Sequence, residues 1–259
     1  PRGVCRGGGA GTGGSVQAPA SATTRGNRVG EQSVEQIRAQ DDGTHQAAMD
    51  RAVELMERVG IPRAKDRSRS FPHEFSGGMR QRVMIAMALS CSPTLLIADE
   101  PTTALDVTIQ AQIMEELGLL RRETGAGILL VTHDLGVVAD IADRIVVMYA
   151  GQIIEQGTLD ELFYDPQHPY TWGLLSSGTR HGRGLPEPLK PIACSPPSLI
   201  NIPSGCSFHP RCPYEPLTGG KGSTEVPQMV DAGGGHMVRC HLDAAQRKSI
   251  FLEQVKPTL

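Results

Sequence analysis

One segment, residues 71–106, constrains the fold of this chain most, because it joins a glycine turn, a helix and an apolar strand that ends in two acids. Ser76, Gly77 and Gly78 precede residues 79–90, which contain no Gly or Pro and carry an apolar stripe, so the pattern predicts a helix. The first N–H groups of a helix have no partner within it, and glycine lets an anion approach the backbone closely. The sequence therefore predicts an anion site at this turn.

The apolar run at residues 94–98 predicts a parallel strand that is buried on both faces. This strand delivers Asp99 and Glu100 at its carboxyl end, where open α/β sheets place ligands. We expect Asp99 to hold Mg²⁺ through its oxygen or through water, and Glu100 to polarise a water for attack on a phosphoryl group. Two solvated acids that merely end a strand are the alternative, and the flanking motifs argue against it.

A second helix and strand follow the acid pair. Residues 107–123 carry a helical stripe that ends near Gly125, and residues 128–131 form a short apolar run. The order of strand, helix and strand predicts a right-handed βαβ unit. This unit would place His133 at the end of the strand beside the one that carries Glu100. A lone histidine is more often structural, but this position favours contact with a γ-phosphate and its attacking water.

Four ordered motifs resemble those of ABC-transporter ATPases. FSGGMRQR looks like their signature motif, LLIADEP like their Walker B strand, ALD like their D-loop, and VTHD like their switch-histidine segment. Longer phrases such as PHEFSGGMRQRVMIAMAL and VMYAGQIIEQG resemble the ATP-binding subunits of dipeptide, oligopeptide and nickel importers. The resemblance covers about residues 29–242. It implies an α/β fold with a partial P-loop-type ATPase core, built on a parallel sheet, and a helical subdomain at about residues 33–92.

The resemblance also implies how such a chain works. ATP would lie between two subunits, one of which supplies the phosphate loop, the metal-holding acid and the catalytic pair, while the other presents its signature turn. In this sequence those positions are Asp99 for Mg²⁺, Glu100 and His133 for catalysis, and Ser76, Gly77, Gly78, Gln81 and Asp106 for the nucleotide and the shared interface. The implied function is the ATP-hydrolysing subunit of an importer for peptides or related small solutes.

The implied partners are a second ATP-binding subunit, two transmembrane permease subunits and, indirectly, an extracytoplasmic solute-binding protein. The implied location is peripheral, on the cytoplasmic face of the inner membrane. A DNA-repair or cohesin-like ATPase is a remote alternative, because no coiled-coil heptads interrupt the motifs.

Residues 1–28 are rich in Gly, Ala, Ser and Thr, and we predict that they are disordered. Gly8 and Gly13 are spaced as in a phosphate loop, but Gly14 stands where lysine is required and no apolar strand precedes the segment. We therefore interpret it as a linker and expect an ABC domain at residues 29–177 that lacks its phosphate loop. Such a chain should hydrolyse ATP negligibly by itself.

Three explanations of the missing loop stay open. The chain could lend its signature turn to a partner's ATP and so complete one of two sites. It could instead be a non-catalytic or regulatory partner built on a decayed ATPase. Finally, because it begins with proline rather than methionine, it could be a piece of a longer enzyme.

From Gly178 onward the composition shifts to Pro, Gly and Cys, which predicts a separate extension at residues 178–259. The extension resembles the carboxyl-terminal region of peptide-importer ATPases, some of which carry an iron–sulfur cluster. This resemblance implies a [4Fe–4S] cluster on Cys194, Cys206, Cys212 and Cys240. The family pattern, however, has a cysteine where this chain has Gly222. A zinc site that recruits histidine, or unligated thiols, are the alternatives.

Composition bears on the remaining classes. A net charge of -3 gives no signal for a polyanion, so nucleic acid is not a predicted partner. No apolar run approaches the length of about 20 residues that a membrane span requires, so membrane association would come through another protein. Six cysteines scattered over 259 residues indicate a reducing compartment.

Overall fold

The computed structural model describes residues 13–16, 26–39, 42–90, 92–103, 105–178, 192 and 194–258. The chain divides into two compact units, of which the first ends at His133 and the second begins at Asp134. In the part of the chain that the structure describes, no helix is both long and apolar enough to cross a membrane.

The first unit is built on a three-stranded parallel sheet with the order β1-β2-β3. Its strands are β1 (Gly13–Val16), β2 (Leu95–Asp99) and β3 (Gly127–Val131). Helix α5 (Val107–Thr124) connects β2 to β3 and ends at Gly125, whose φ of 68° is left-handed. The predicted βαβ unit is therefore confirmed. Asp99 lies opposite Val131, so the carboxyl ends of β2 and β3 are level.

Strand β1 corrects the prediction for the amino-terminal segment. Residues 13–16 pair in parallel with Leu95–Ala98, so disorder is wrong for these four residues. The prediction weighed the lack of apolar side chains, but a strand is held to its neighbour by backbone hydrogen bonds, which glycine supplies as well as any residue. A phosphate loop leads from a strand into a helix, whereas residues 13–16 are themselves the strand. Apart from residues 26–28, the rest of residues 1–28 lies outside the described residues.

The burial of β2 also differs from the prediction. Leu96 and Ala98 are 2% and 0% exposed, but Leu95 is 41% exposed and Asp99 is exposed as well. Successive side chains of a strand point to opposite faces. Strand β2 is therefore buried on one face in this chain, and the prediction of burial on both faces is wrong.

The described residues between β1 and β2 include the α-helices α1 (Val29–Arg38), α2 (His45–Arg58), α3 (Ala64–Arg67) and α4 (Gly77–Leu89). The apolar face of α2 packs on α1 through a cluster of small and aliphatic side chains. Helix α4 is buried along most of its length and also contacts α2 and β1. It thereby connects the helices of this unit to its sheet.

The second unit contains an antiparallel sheet with the order β4-β5-β7-β6. Helix α6 (Leu135–Ile141) precedes β4 (Arg144–Tyr149), and a turn with positive φ at Ala150 and Gly151 leads into β5 (Gln152–Thr158). A capping box at Thr158 and Glu161 then starts α7 (Leu159–Tyr164).

The extension predicted at residues 178–259 is not a separate unit. Its strands β6 (Met229–Asp231) and β7 (Met237–Arg239) join the sheet, with β7 paired to β5. The remaining helices of this unit are α8 (Pro169–Gly178), α9 (Lys221–Thr224) and α10 (Ala244–Ile250). Trp172 of α8 packs with Leu242, Ile250 and Phe251 in one hydrophobic core cluster. Backbone pairing and this shared core explain why no boundary falls near residue 177.

Candidate functional site

Glu100 and His133 meet at the carboxyl ends of β2 and β3. An oxygen of the Glu100 carboxylate lies 3.3 Å from Nδ1 of His133, and the two side chains are 45% and 77% exposed. Because an ionised carboxylate only accepts hydrogen bonds, this contact assigns a proton to Nδ1 of the imidazole. The pair that the sequence predicted to share one crevice is therefore in direct contact.

Thr103 completes this arrangement and was missed by the sequence analysis. Its hydroxyl donates to the second carboxylate oxygen of Glu100 at 2.8 Å. This hydrogen bond, together with a smaller effect of His133, holds the pKa of Glu100 below its usual value. The carboxylate is consequently ionised at neutral pH and available as a hydrogen-bond acceptor. Thr103 follows Glu100 by three residues in the turn after a strand, and this spacing was the signal that could have identified it.

The backbone of Glu100 is held in an uncommon conformation. Its φ is 47°, in the left-handed region that side chains other than Asn, Asp and Gly seldom adopt. Its N–H donates to the carbonyl oxygen of Val131 at 2.8 Å, which fixes the residue at the end of the ladder between β2 and β3. Strained residues of this kind cluster at functional sites because the surrounding structure must hold them. The conformation thus supports a functional role for Glu100.

Asp99 precedes Glu100 as the last residue of β2 and is exposed. An exposed carboxylate is a hard oxygen ligand that suits Mg²⁺, which keeps several waters and takes only one or two protein carboxylates. The residue at this position therefore fits the metal that the sequence predicted. The fit rests on one carboxylate and the phosphates of a substrate, rather than on an all-protein cage.

The glycine turn begins α4 as predicted, with the helix starting at Gly77 instead of Met79. The hydroxyl of Ser76 accepts a hydrogen bond from the N–H of Met79 at 3.3 Å, so Ser76 is the N-cap. Ser76 is exposed, Gly77 is half-buried and Gly78 is buried. The exposed N-terminus of this helix retains the unpaired N–H groups that an anion could contact.

The side chain of Gln81, which the sequence analysis assigned to the nucleotide site, is 0% exposed. Among the described residues its amide nitrogen and oxygen have no hydrogen-bond partner. The 3.6-residue period of α4 turns this residue toward the interior. Asp106, by contrast, is exposed and caps α5 by accepting from the N–H of Ile109 at 2.9 Å.

The cysteines do not form the predicted [4Fe–4S] site. Cys206, Cys212 and Cys240 line one small cavity, together with Gly222 at the position where the family pattern has cysteine. Cys194 is exposed and is absent from the lining of that cavity. Over the ranges that the structure describes, no group of three or more His, Cys, Asp or Glu side chains could hold a metal. The residues present do not fit this cluster.

The parallel sheet, with a helix N-terminus and a carboxylate in contact with histidine, is similar to solved ATP-binding cassettes. One is the dimeric ATP-binding cassette MJ0796 in a post-hydrolysis state with ADP and Pi, with a TM-score of 0.52 and 27% identity over 57% of this chain and 63% of that one. Another is cbiO1 from Clostridium perfringens, part of the ABC transporter complex cbiONQ, with a TM-score of 0.52 and 29% identity over 59% of each chain.

Two family profiles match the sequence: "ABC transporter" at residues 15–103 and "Oligopeptide/dipeptide transporter, C-terminal region" at residues 154–216. The oligopeptide transport ATP-binding protein OppD of Bacillus subtilis is 57% identical over 187 residues, which are 72% of this chain and 52% of that protein. A putative peptide import ATP-binding protein of Brucella melitensis is 52% identical over 219 residues, which are 82% of this chain and 63% of that protein.

The chain carries the ABC-transporter domain and the oligopeptide/dipeptide transporter carboxyl-terminal region, and these two relatives are peptide transport and peptide import ATP-binding proteins. The first match begins at residue 15, so the resemblance placed at about residues 29–242 starts earlier than the sequence analysis had it. Residue 15 lies in β1, which agrees with the pairing of that strand to β2. The chain spans only 52% to 63% of the length of these two relatives.

Proposed function

We propose that this chain is the ATP-binding and ATP-hydrolysing subunit of an ABC importer for peptides or related small solutes. The contact between Glu100 and His133 at the ends of two adjacent parallel strands carries this proposal. The names of relatives more than 50% identical, which are oligopeptide transport and peptide import proteins, support the class of solute.

In the proposed reaction, Glu100 accepts a hydrogen bond from the water that attacks the γ-phosphoryl group of ATP, which is the substrate. Thr103 and Nδ1 of His133 donate to its two oxygens and hold the carboxylate in one orientation. The Nε2 atom of His133 is then free to contact the nucleotide or the water. Asp99 would hold Mg²⁺, and that ion, when bound, neutralises charge on the β- and γ-phosphates.

The exposed turn at Ser76 and Gly77 would contact the γ-phosphate of ATP bound to a second ATP-binding subunit. The macrodipole and the unpaired N–H groups of α4 favour the approach of a negative group there. Asp106 is exposed at the start of α5 and would lie at the interface between the two subunits. A nucleotide sandwich of this kind links binding of ATP to closure of the dimer, and hydrolysis to its opening.

The proposed partners are a second ATP-binding subunit, two transmembrane permease subunits and, through the permease, an extracytoplasmic solute-binding protein. Closure of the dimer would act on the permease subunits. We place the chain peripherally on the cytoplasmic face of the membrane, because it would reach the membrane through those subunits.

ATP turnover by the assembled importer tests this proposal. Glu100→Gln keeps the size of the side chain and should lower turnover by about 10²-fold or more, since a general base typically contributes 10²–10⁴-fold. Ser76→Arg should lower turnover as well, because it blocks the turn that faces the partner's ATP. The matched control is Ser249→Arg, which places the same change at an exposed serine of α10. Turnover that neither Glu100→Gln nor Ser76→Arg reduces would refute the proposal.

A further inference from the structure

The two glycines of the signature turn are packed against the segment that opens α5. Gly78 is buried, and a Cβ added to it would lie 2.5 Å from Cγ2 of Ile109, closer than real Cβ contacts come. A Cβ on Gly77 would lie 3.2 Å from Cδ2 of Leu105. The Leu105 atom is the end of a flexible side chain, but the methyl of Ile109 is attached directly to a branched Cβ, which has few alternative rotamers. Gly78 thus lacks room for any side chain.

The helix caps on either side of this contact fix both partners. Ser76 caps α4 through Met79, and Asp106 caps α5 through the N–H of Ile109 itself. The contact between Gly78 and Ile109 therefore joins the first turn of α4 to the first turn of α5. A movement of one turn must push the other, because packed interiors are not continuously deformable.

Arg82 joins the same two helices a second time, one turn further along α4. Its guanidinium donates to the carbonyl oxygen of Val59 at 3.0 Å and to the side-chain oxygen of Gln112 at 3.1 Å. It also forms an ion pair with Glu116 of α5, in which the two side chains are only 14% and 19% exposed. Burial raises the pKa of Glu116 more than the Arg82 charge lowers it. Removal of Arg82 alone would therefore leave a buried carboxyl without its partner.

We propose that Gly78 is glycine because it packs on Ile109, and that this contact and the ion pair of Arg82 with Glu116 hold the signature turn and the D-loop as one rigid body. Gly78 and Arg82 are then positioning residues, which act through Ser76 and Asp106. The packing stands on the geometry of this chain alone. Its consequence for ATP turnover rests on the function proposed above.

Hydrogen exchange of the 259-residue chain without nucleotide tests the packing. Gly78→Ala should speed exchange of the amides in the first turns of α4 and α5 by roughly tenfold or more, because it forces these turns apart. Gly78→Ala combined with Ile109→Ala removes the clashing methyl and should restore protection. Gly118→Ala is the control for helix propensity, since a Cβ there meets only the Arg122 side chain at 3.6 Å. Exchange that stays fast in the double variant, or never rises in Gly78→Ala, would overturn the proposal.

The ion pair gives an independent measurement should Gly78→Ala fold poorly. Arg82→Met should speed exchange in the same two turns, whereas Arg82→Met combined with Glu116→Leu replaces the pair with apolar side chains and should recover most of the protection. Equal exchange rates in the native chain and in Arg82→Met would contradict a role of the ion pair in holding the helices together.

ATP turnover by the assembled importer then separates packing from ligand approach. If Gly78 only leaves room for a phosphate, Ile109→Ala cannot rescue Gly78→Ala, and the double variant stays as slow as the single one. If packing is the reason, the double variant recovers at least tenfold in turnover relative to Gly78→Ala. Restored protection with no change of turnover in any variant would leave the packing intact and count against the proposed function instead.

Discussion

The buried carboxylate of Glu155 offers the sharpest test of how the second unit is held together. Glu155 is 0% exposed in the middle of β5. Its oxygens accept hydrogen bonds from the N–H of Gln167 at 2.5 Å, the N–H of His168 at 3.0 Å and the hydroxyl of Thr171 at 2.5 Å. Nε2 of His236 lies 2.8 Å from the carboxylate, in the connection between β6 and β7. One side chain therefore links β5, the start of α8 and the carboxyl-terminal strands.

Glu155→Gln should destabilise this unit by about 3–5 kcal/mol, the range for breaking a buried charge pair by changing one partner. The amide has one acceptor oxygen where the carboxylate has two, so at least one backbone N–H loses its acceptor, at about 1–3 kcal/mol. The NH₂ group also faces donors rather than acceptors.

Urea unfolding followed by the fluorescence of Trp172 measures this change. Trp172 is the single tryptophan of the chain and is 2% exposed in α8, so its signal reports on this unit. Glu225→Gln is the matched control, because the same change at an exposed glutamate should stay within about 0.5 kcal/mol. A loss below about 1 kcal/mol for Glu155→Gln, within the range of one ordinary hydrogen bond, would refute the reasoning.

Three further predictions concern the pair of Glu100 and His133, the acid stability and the cysteines. Glu100→Gln should leave stability within about 0.5 kcal/mol, since the side chain is 45% exposed, and urea unfolding would detect a larger effect. Burial, and to a smaller extent the charge of Arg247, lowers the pKa of His168 to about 3. The contribution of His168 to stability is therefore complete above the unfolded-state pKa of about 6.5, and it is lost as the pH falls below that value. At one pH unit below this unfolded-state pKa, the loss of unfolding free energy should reach about 1.4 kcal/mol. His168→Asn should flatten the pH dependence of the unfolding free energy. Protein purified without oxygen should be colourless and free of iron and sulfide. The reason is that Cys194 is exposed and that Gly222, rather than a cysteine, lines the cavity with Cys206, Cys212 and Cys240. A visible absorption band with bound iron would contradict this prediction.

Local signals account for the elements that the sequence predicted well. Asp106 caps α5 and Gly125 ends it, while Thr158 and Glu161 form the capping box of α7. Each of these signals lies within a few residues of the boundary that it sets, so no knowledge of the tertiary structure is needed. The contact of Glu100 with His133 was predictable for a related reason, because adjacent parallel strands bring their carboxyl ends to the same edge.

Long-range pairing accounts for what the sequence did not reveal. Strand β1 has no apolar pattern of its own and depends on a neighbour, β2, that lies far along the chain. The sequence pattern around Glu155 is typical of a solvent-exposed residue in a strand. The side chain is nevertheless buried, because residues 167, 168, 171 and 236 form hydrogen bonds with its carboxylate. The strands that tie residues 229–239 to β5 are only three residues long, too short for periodicity to detect.

The glycine turn at residues 76–78 shows how one pattern can satisfy two physical requirements. A missing Cβ is compatible with close approach of a phosphate and equally with close approach of another helix, and the sequence cannot distinguish them. The structure separates the residues by burial: Ser76 is exposed, whereas Gly78 is buried against Ile109. The first part of the turn is thus available to a ligand, and the second is used by the fold. With the function proposed above, a substitution at Gly78 should impair ATP turnover through this packing, and rescue by Ile109→Ala distinguishes that cause from a lost phosphate contact.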